Sequence, residues 1–166
     1  MMKKNEKGMT LFIAVVIMNI LLFISFAVVN ITIKGSLFAT SGRDSQFAFY
    51  AADAGIECAL YWDSKFDPSK FATSTAGTIT CANNPPISTG SQTVPTNPTQ
   101  SSLVGGGTDT NPTSIFYFNL NQGVNAVPYC AIVTVTKNTN GSTYIKSRGY
   151  NTCDISNPRR VERGIE

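Results

Sequence analysis

The first apolar run of the chain is long and uncharged. Residues Met9 to Val29 carry no charged side chain, and their clearly polar members are Thr10, Asn19 and Ser25. As a helix, this run would be about 31 Å long, which is close to the thickness of a bilayer's hydrocarbon core. Because the backbone in lipid must satisfy its own hydrogen bonds, the pattern predicts a membrane-spanning helix over residues 9–33.

The helical pattern continues beyond the apolar run. No proline occurs before Pro68, so the helix can extend from about Met9 to about Tyr61 without a forced break. Residues 34–62 are the exposed, amphipathic half, with small and apolar residues at helical spacing. One face of this half can therefore lie very close to a sheet or another helix. The residues predicted to make that contact are Ala48, Ala51, Ala52, Ala54 and Gly55.

Residues 63–166 are predicted to form a small extracellular β domain. Its first part, over 72–113, is rich in Thr, Ser, Asn, Pro and Gly, and no charged residue occurs from Ala72 to Thr108. This composition predicts loops that lie outside the core. A turn-rich excursion is the simple interpretation of these loops, and a variable contact surface is the functional one.

Strand signals follow the loops. They cover residues 114–119, 129–136 and 144–148, with 160–165 as a candidate edge strand. Asn140-Gly141 predicts a hairpin turn between the second and third runs. In the second run, Ala131, Val133 and Val135 fall on one face. The expected fold is α+β: a long N-terminal α-helix, transmembrane in its first half, packed on a small antiparallel β-sheet.

The amino-acid composition excludes several kinds of catalytic and metal site. Histidine is absent, which excludes Ser-His-Asp and Cys-His catalysis and the commonest metal ligand. We therefore expect no catalytic residue, metal or cofactor. The net charge is +3, and removal of the first eight residues, with three Lys and one Glu, would leave about +1. Nucleic-acid binding is thus unlikely on charge grounds, although basic residues cluster near the C-terminus: Lys146, Arg148, Arg159, Arg160 and Arg163.

The four cysteines predict disulfides. None belongs to a CxxC pair, so a structural zinc site is poorly supported. Four cysteines allow three pairings, and spacing alone does not choose among them. We favour Cys58–Cys81, which would tie the helix end to the following loop, and Cys130–Cys153, which would close the predicted hairpin.

The leader carries the first family resemblance. Lys3, Lys4 and Lys7 precede the apolar run and should stay cytoplasmic. The sequence from Lys7 through Gly8 and Met9 to Leu11 resembles the class III leader of type IV pilins. That resemblance implies that residues 1–8 are a leader, cut by a prepilin peptidase between Gly8 and Met9, with methylation of Met9.

Two further positions refine the resemblance. Major pilins carry Glu at the fifth mature position, where this chain has Ile13. Loss of that Glu is seen in PilX-type minor pilins and in the K-type tip pseudopilin of type II secretion. The stretch from Ala48 to Gly55 resembles the AFxAAE-A-like stretch of PilX-type minor pilins, with Asp53 in place of Glu.

Together these resemblances imply a minor pilin or pseudopilin: a structural subunit of a type IV pilus-like filament, and not an enzyme. The expected location is the inner or cytoplasmic membrane, crossed once, with the C-terminal domain extracytoplasmic before assembly into a surface filament. The implied partners are the membrane, the prepilin peptidase, the pilus assembly platform and other pilin subunits, which pack through the N-terminal helix.

Other functions stay open at this point. A membrane-tethered extracellular binding domain that never assembles is the main alternative. A secreted hydrolase would use paired carboxylates, either Asp53 with Glu57 or Asp63 with Asp67. Within the pilin family, a pilus, a pseudopilus and a DNA-uptake filament remain alternatives.

Overall fold

The fold is α+β, as seen in a computed structural model that describes residues 6–72, 77–95, 100–105, 112–120 and 128–166. One long helix precedes four strands. The elements are α1 (Glu6–Ser64), β1 (Thr113–Leu120), β2 (Tyr129–Lys137), β3 (Thr143–Tyr150) and β4 (Glu162–Ile165). The predicted fold class is confirmed: a long N-terminal helix is packed against a four-stranded antiparallel sheet.

The chain divides into two compact units, residues 1–42 and 43–166. In the first unit, the described residues belong to α1. The helix is long and apolar enough there to cross a membrane, and none of its most apolar window is buried. In the second unit, the last turns of α1 pack on the sheet.

The sheet is a meander in the order β1-β2-β3-β4, with every neighbouring pair antiparallel. The β2–β3 turn uses the predicted Asn-Gly pair: the Gly141 amide donates to the Asn138 carbonyl at 3.0 Å. Gly141 has φ of +84°, which glycine adopts without a steric penalty. The short turn fixes the register, which places Val133 opposite Ser147.

The two faces of the sheet bury different sets of residues. On one face, Val133, Val135, Phe116 and Phe118 form the main core with Ala59 of α1. The opposite face buries Cys130, Ile132 and Tyr150 together with Val94. The period-two alternation along β2 therefore produces two cores from one strand.

The stretch 72–113 contributes more to the core than its composition predicts. Ile79, Ile87 and Val104 are fully buried in the main core. Ile79 and Ile87 exchange backbone hydrogen bonds of 2.9 and 2.8 Å. The prediction that this stretch lies outside the core is wrong, because single apolar residues turn inward even where most of the surrounding sequence is polar.

Candidate functional site

The first unit presents an apolar surface. Large side chains all around α1 between Met9 and Ile33 are exposed, among them Phe23 at 72% and Leu22 at 68%. An exposed apolar surface of this extent marks contact with lipid or with another protein. A helix that is hydrophobic all round is typical of a membrane span.

Two polar side chains inside this run donate hydrogen bonds to backbone carbonyls of α1 itself. The Asn19 amide nitrogen donates to the Val15 carbonyl at 2.9 Å, and the Ser25 hydroxyl donates to the Leu21 carbonyl at 2.8 Å. Bonds to the carbonyl four residues earlier are a usual arrangement for such side chains. In lipid each such bond lowers the cost of the polar group that donates it, so Asn19 and Ser25 oppose membrane insertion less than unbonded side chains would.

The predicted processing pair lies within the first turns of α1. The described part of α1 runs from Glu6, so it includes both Gly8 and Met9. Met9 is exposed, whereas the side-chain surroundings of residues 6–8 lie outside the described part of the chain. Ile13, which stands where major pilins have Glu, is also exposed in the apolar run.

The contact between α1 and the sheet is built from small residues. Ala48, Ala51 and Ala52 are fully buried. A Cβ atom added at Gly55 would lie 2.1 Å from Ser147 Oγ. One added at Gly149 would lie 2.0 Å from the Ala48 carbonyl oxygen, far inside van der Waals contact. The backbones of α1 and β3 therefore lie very close together, because Gly55 and Gly149 have no side chains that would hold them apart.

Ala54 and Gly55 are buried to different extents in this contact. Ala54 is only partly buried and packs at the border of the main core, while Gly55 is buried directly beneath β3. Gly149 on β3 was missed by sequence analysis, because a glycine inside a strand gives no signal of which backbone it faces. An unusually small residue in an otherwise β-prone run is the available hint.

The opposite side of α1 in the second unit is exposed, and we call it the outer helix face. Four large apolar side chains on it are half exposed: Phe49 (50%), Tyr50 (60%), Leu60 (50%) and Tyr61 (52%). Asp53 and Glu57 lie between them at helical spacing and are exposed. Within the described residues, neither carboxylate takes part in an ion pair. The face therefore combines apolar area with unpaired negative charge.

The end of α1 is tied to the following segment by a disulfide. Cys58 and Cys81 are bonded, with their Cα atoms 5.9 Å apart, as predicted. The indole nitrogen of Trp62 donates to the Thr80 carbonyl at 3.0 Å beside the bond. Both links hold the segment around residue 80 against the last turns of the helix.

A partly buried ion pair also links the end of α1 to the β2–β3 hairpin. Lys137 Nζ lies 2.7 Å from the Asp63 carboxylate, which also accepts bonds from Ser69 (2.6 Å) and Thr143 (2.8 Å). Burial alone would raise the pKa of Asp63, but the hydrogen bonds from Lys137, Ser69 and Thr143 outweigh it and lower the pKa. Asp63 thus serves here as a structural anion.

The other predicted cysteine pair is brought together without a bond. Cys130 and Cys153 are free thiols, so the predicted second disulfide is not formed. The thiols lie in hydrogen-bonding contact, which lowers the pKa of Cys130 and, with burial, raises that of Cys153. The Cys153 thiol also donates to Asn119 Oδ1 at 3.3 Å. The favoured pairing therefore names two cysteines that are in contact, but a bond also requires loss of two electrons and two protons.

The basic residues near the C-terminus take part in separate contacts. Lys146 is paired with Glu166. The Arg160 guanidinium lies over the Tyr150 ring, 3.7 Å from its centroid, in a cation–π contact. Arg163 Nε donates to Ser45 Oγ on α1 at 2.9 Å. These three members of the cluster therefore lie in three different local environments.

A groove of about 800 Å³ lies on the sheet face that carries Ile115 and Thr134. The segment around Ser102 forms its wall, and Arg148 of β3 contributes its charge. Arg148 has no ion pair within the part of the chain that the structure describes. The wall is held by its own bonds: Ser102 Oγ donates to the Ser88 carbonyl at 2.7 Å. In chemical terms this is a polar groove with one available cation.

Comparisons with known proteins found no relative of this chain. The chain matches no protein-family model. It also matches no curated protein and no solved structure.

Proposed function

We propose that the protein is a structural subunit of a type IV pilus-like filament, a minor pilin or pseudopilin that acts in pilus assembly, adhesion or a related surface function. The observation that carries the proposal is the contrast within α1. Its first part is uncharged, exposed and of bilayer length between Met9 and Val29. Its last part is the packing partner of a small antiparallel sheet.

The mechanism follows from this contrast. Before assembly, the apolar part of α1 crosses the cytoplasmic membrane once, with the lysines of the leader inside and the sheet domain outside. During assembly, the platform draws the helix out of lipid, and helices of other subunits replace the lipid around it. The prepilin peptidase must act earlier, because it releases Met9 as the new N-terminus.

The test is the chemistry of the mature N-terminus. We would co-express the full chain with a prepilin peptidase and determine its N-terminal mass. The proposal expects a chain that begins at methylated Met9, and a Gly8→Val variant that stays uncut. A wild-type chain with Met1 intact, in cells where the same peptidase processes a known prepilin, would contradict it.

A membrane-tethered binding domain is the second candidate, and the Arg148 groove favours it. Its volume of about 800 Å³ and its unpaired cation would suit a small ligand with a carboxylate or another anionic group. The two candidates differ in assembly: a tethered domain would stay in the membrane fraction as an uncut monomer even when the filament machinery is present.

A further inference from the structure

A cavity of about 410 Å³ lies beside the last turns of α1, at the C-terminal end of the outer helix face. This volume is within the range of small-ligand sites. Three aromatic rings line the cavity: Tyr61 and Trp62 from α1, and Phe118 from β1. The carboxylate of Glu57, about one helical turn before Tyr61, lines it as well. The cavity thus combines aromatic surface with a negative charge.

The two rings from α1 form a corner. The planes of Tyr61 and Trp62 are perpendicular, and their centroids are 5.3 Å apart. Tyr61 is 52% exposed, so much of its surface can still contact a ligand, whereas Phe118 is buried and forms the inner wall. Because the face of an aromatic ring carries negative charge density, these rings favour a positively charged neighbour.

The wall that contains Ala82 is fixed from two sides. The Cys58–Cys81 disulfide joins it to α1. The Asn84 side chain donates to the Cys81 carbonyl at 2.9 Å and to the Asn119 carbonyl of β1 at 2.7 Å. Ala82 itself has φ of +48°, a left-handed conformation that residues with a side chain rarely adopt and that persists only where its surroundings hold it. The shape of the cavity therefore exists before a ligand enters.

No positively charged side chain lines the cavity among the residues that the structure describes. The neighbouring ring of Phe66 differs: it stacks on Trp62 with the centroids 5.1 Å apart, and Lys70 Nζ lies 4.9 Å from its centroid. The chain thus supplies a cation to Phe66 but none to the cavity. Glu57 forms no ion pair within the described residues. Its charge and the ring surfaces are therefore available to a ligand.

We propose that this cavity binds a small organic cation with a quaternary ammonium group, such as choline. The methyl groups pack against Tyr61, Trp62 and Phe118, and the Glu57 carboxylate balances the charge. A primary ammonium fits less well, because it is strongly hydrated and its N–H donors would face rings instead of acceptors. An anionic ligand would be repelled by Glu57. This binding site goes beyond the proposed function and does not depend on filament assembly.

Titration of the full chain with choline tests the proposal. The chain would be held in a maltoside detergent, which has no ammonium group. Trp62 is the only tryptophan of the sequence, so its fluorescence reports directly on the cavity. We expect a saturable change with choline. The neutral isostere, in which a tert-butyl group replaces the trimethylammonium group, should bind at least about tenfold more weakly, because it has the same shape without the charge.

Variants separate the charge from the rings. Glu57→Gln should weaken choline binding about tenfold and leave binding of the neutral isostere unchanged. Tyr61→Leu should weaken choline binding about fivefold or more, whereas Tyr61→Phe should stay close to wild type because it keeps the ring. Asp53→Asn is the matched control: it removes an exposed carboxylate one turn earlier on α1 that does not line the cavity. It should change choline binding by less than about threefold.

Glycerophosphocholine distinguishes two sources of the ammonium group. Binding of choline alone indicates a free cation, and similar binding of both indicates that the headgroup of a choline lipid is accepted as well. Equal affinity for choline and its neutral isostere, or the absence of saturable choline binding, would overturn the inference. So would a Glu57→Gln variant that forms the Cys58–Cys81 bond, melts like wild type and binds choline equally well. A chain that is cut at Gly8 but fails these titrations loses this inference alone, and an uncut chain that passes them loses only the proposed function.

Discussion

Two stretches of the same helix use apolar residues in opposite ways. Between Met9 and Ile33 the side chains are large and exposed, while at Ala48, Ala51 and Ala52 they are small and fully buried. Along α1, the larger apolar side chains are therefore the exposed ones. Hydrophobicity alone does not say whether a helix face will be covered by its own chain.

On the proposed function, the difference follows from what surrounds each stretch. Lipid tails adapt to any apolar shape, so a helix in a bilayer needs length and apolar character but no complementary surface. A β-sheet has a fixed surface, and a helix that packs on it must match that surface at van der Waals distance. Four predictions test this contrast, beginning with the largest effect.

Gly149→Ala should have the largest effect. The new Cβ would meet backbone atoms of α1, at 2.0 Å from the Ala48 carbonyl oxygen and 2.3 Å from the Ala52 nitrogen, and neither can rotate away. We expect a loss of about 3 kcal/mol or more in the free energy of unfolding. Thermal unfolding of the full chain in detergent, followed by circular dichroism, measures it. Gly164→Ala is the control, since its nearest contact would be an ordinary 3.8 Å; equal melting temperatures for the two variants would refute the close-packed contact.

Removal of the disulfide comes next. Replacing Cys58 and Cys81 by Ser should lower the free energy of unfolding by about 3 kcal/mol, because the unfolded chain regains the freedom of the closed loop. Association with membranes should not change, since both cysteines lie in the second unit. A change in membrane association without a change in unfolding would contradict this division of roles.

Asp63→Asn should have a smaller, pH-dependent effect. At neutral pH we expect a loss of about 1–2 kcal/mol, because Lys137 loses its anionic partner. The pKa of Asp63 is lowered by folding, so its contribution is present above the unfolded value of about 4 and disappears as the pH falls through the lowered folded value. Urea unfolding at pH 7 and below pH 4 should therefore show a difference between wild type and variant that shrinks in acid. Asp67→Asn, at an exposed position, is the control and should change the free energy of unfolding at pH 7 by less than about 0.5 kcal/mol.

Leu22→Ala should have the smallest effect on folding. Leu22 is 68% exposed, so its truncation should change the free energy of unfolding of the sheet domain by less than about 0.5 kcal/mol. The same thermal melt measures it. A loss above 1 kcal/mol would show that the apolar stretch packs on its own chain, and would weaken the case that lipid or other subunits surround it.

The sequence predicted the elements that repeat a pattern. The uninterrupted helix followed from the absence of proline, and strands β1 to β3 followed from alternation and from the Asn140-Gly141 turn. The burial of Ile79 and Ile87 was not predicted, because two isolated apolar residues show no periodic pattern. Both cysteine pairs have the same sequence separation, yet Cys58–Cys81 is bonded and Cys130 and Cys153 are thiols, so spacing cannot report oxidation. Gly149 escaped because its role depends on a helix backbone that lies a hundred positions earlier in the chain.

That long separation also sets an order of events during biosynthesis. The helix segment that contains Ala48 and Gly55 leaves the ribosome well before Ser147 and Gly149 of β3 are available to cover it. Until then the small residues of α1 have no sheet to pack against. The meander itself needs only contacts between neighbouring strands and can form rapidly. The close contact between helix and sheet can therefore form only after β3 has been synthesised.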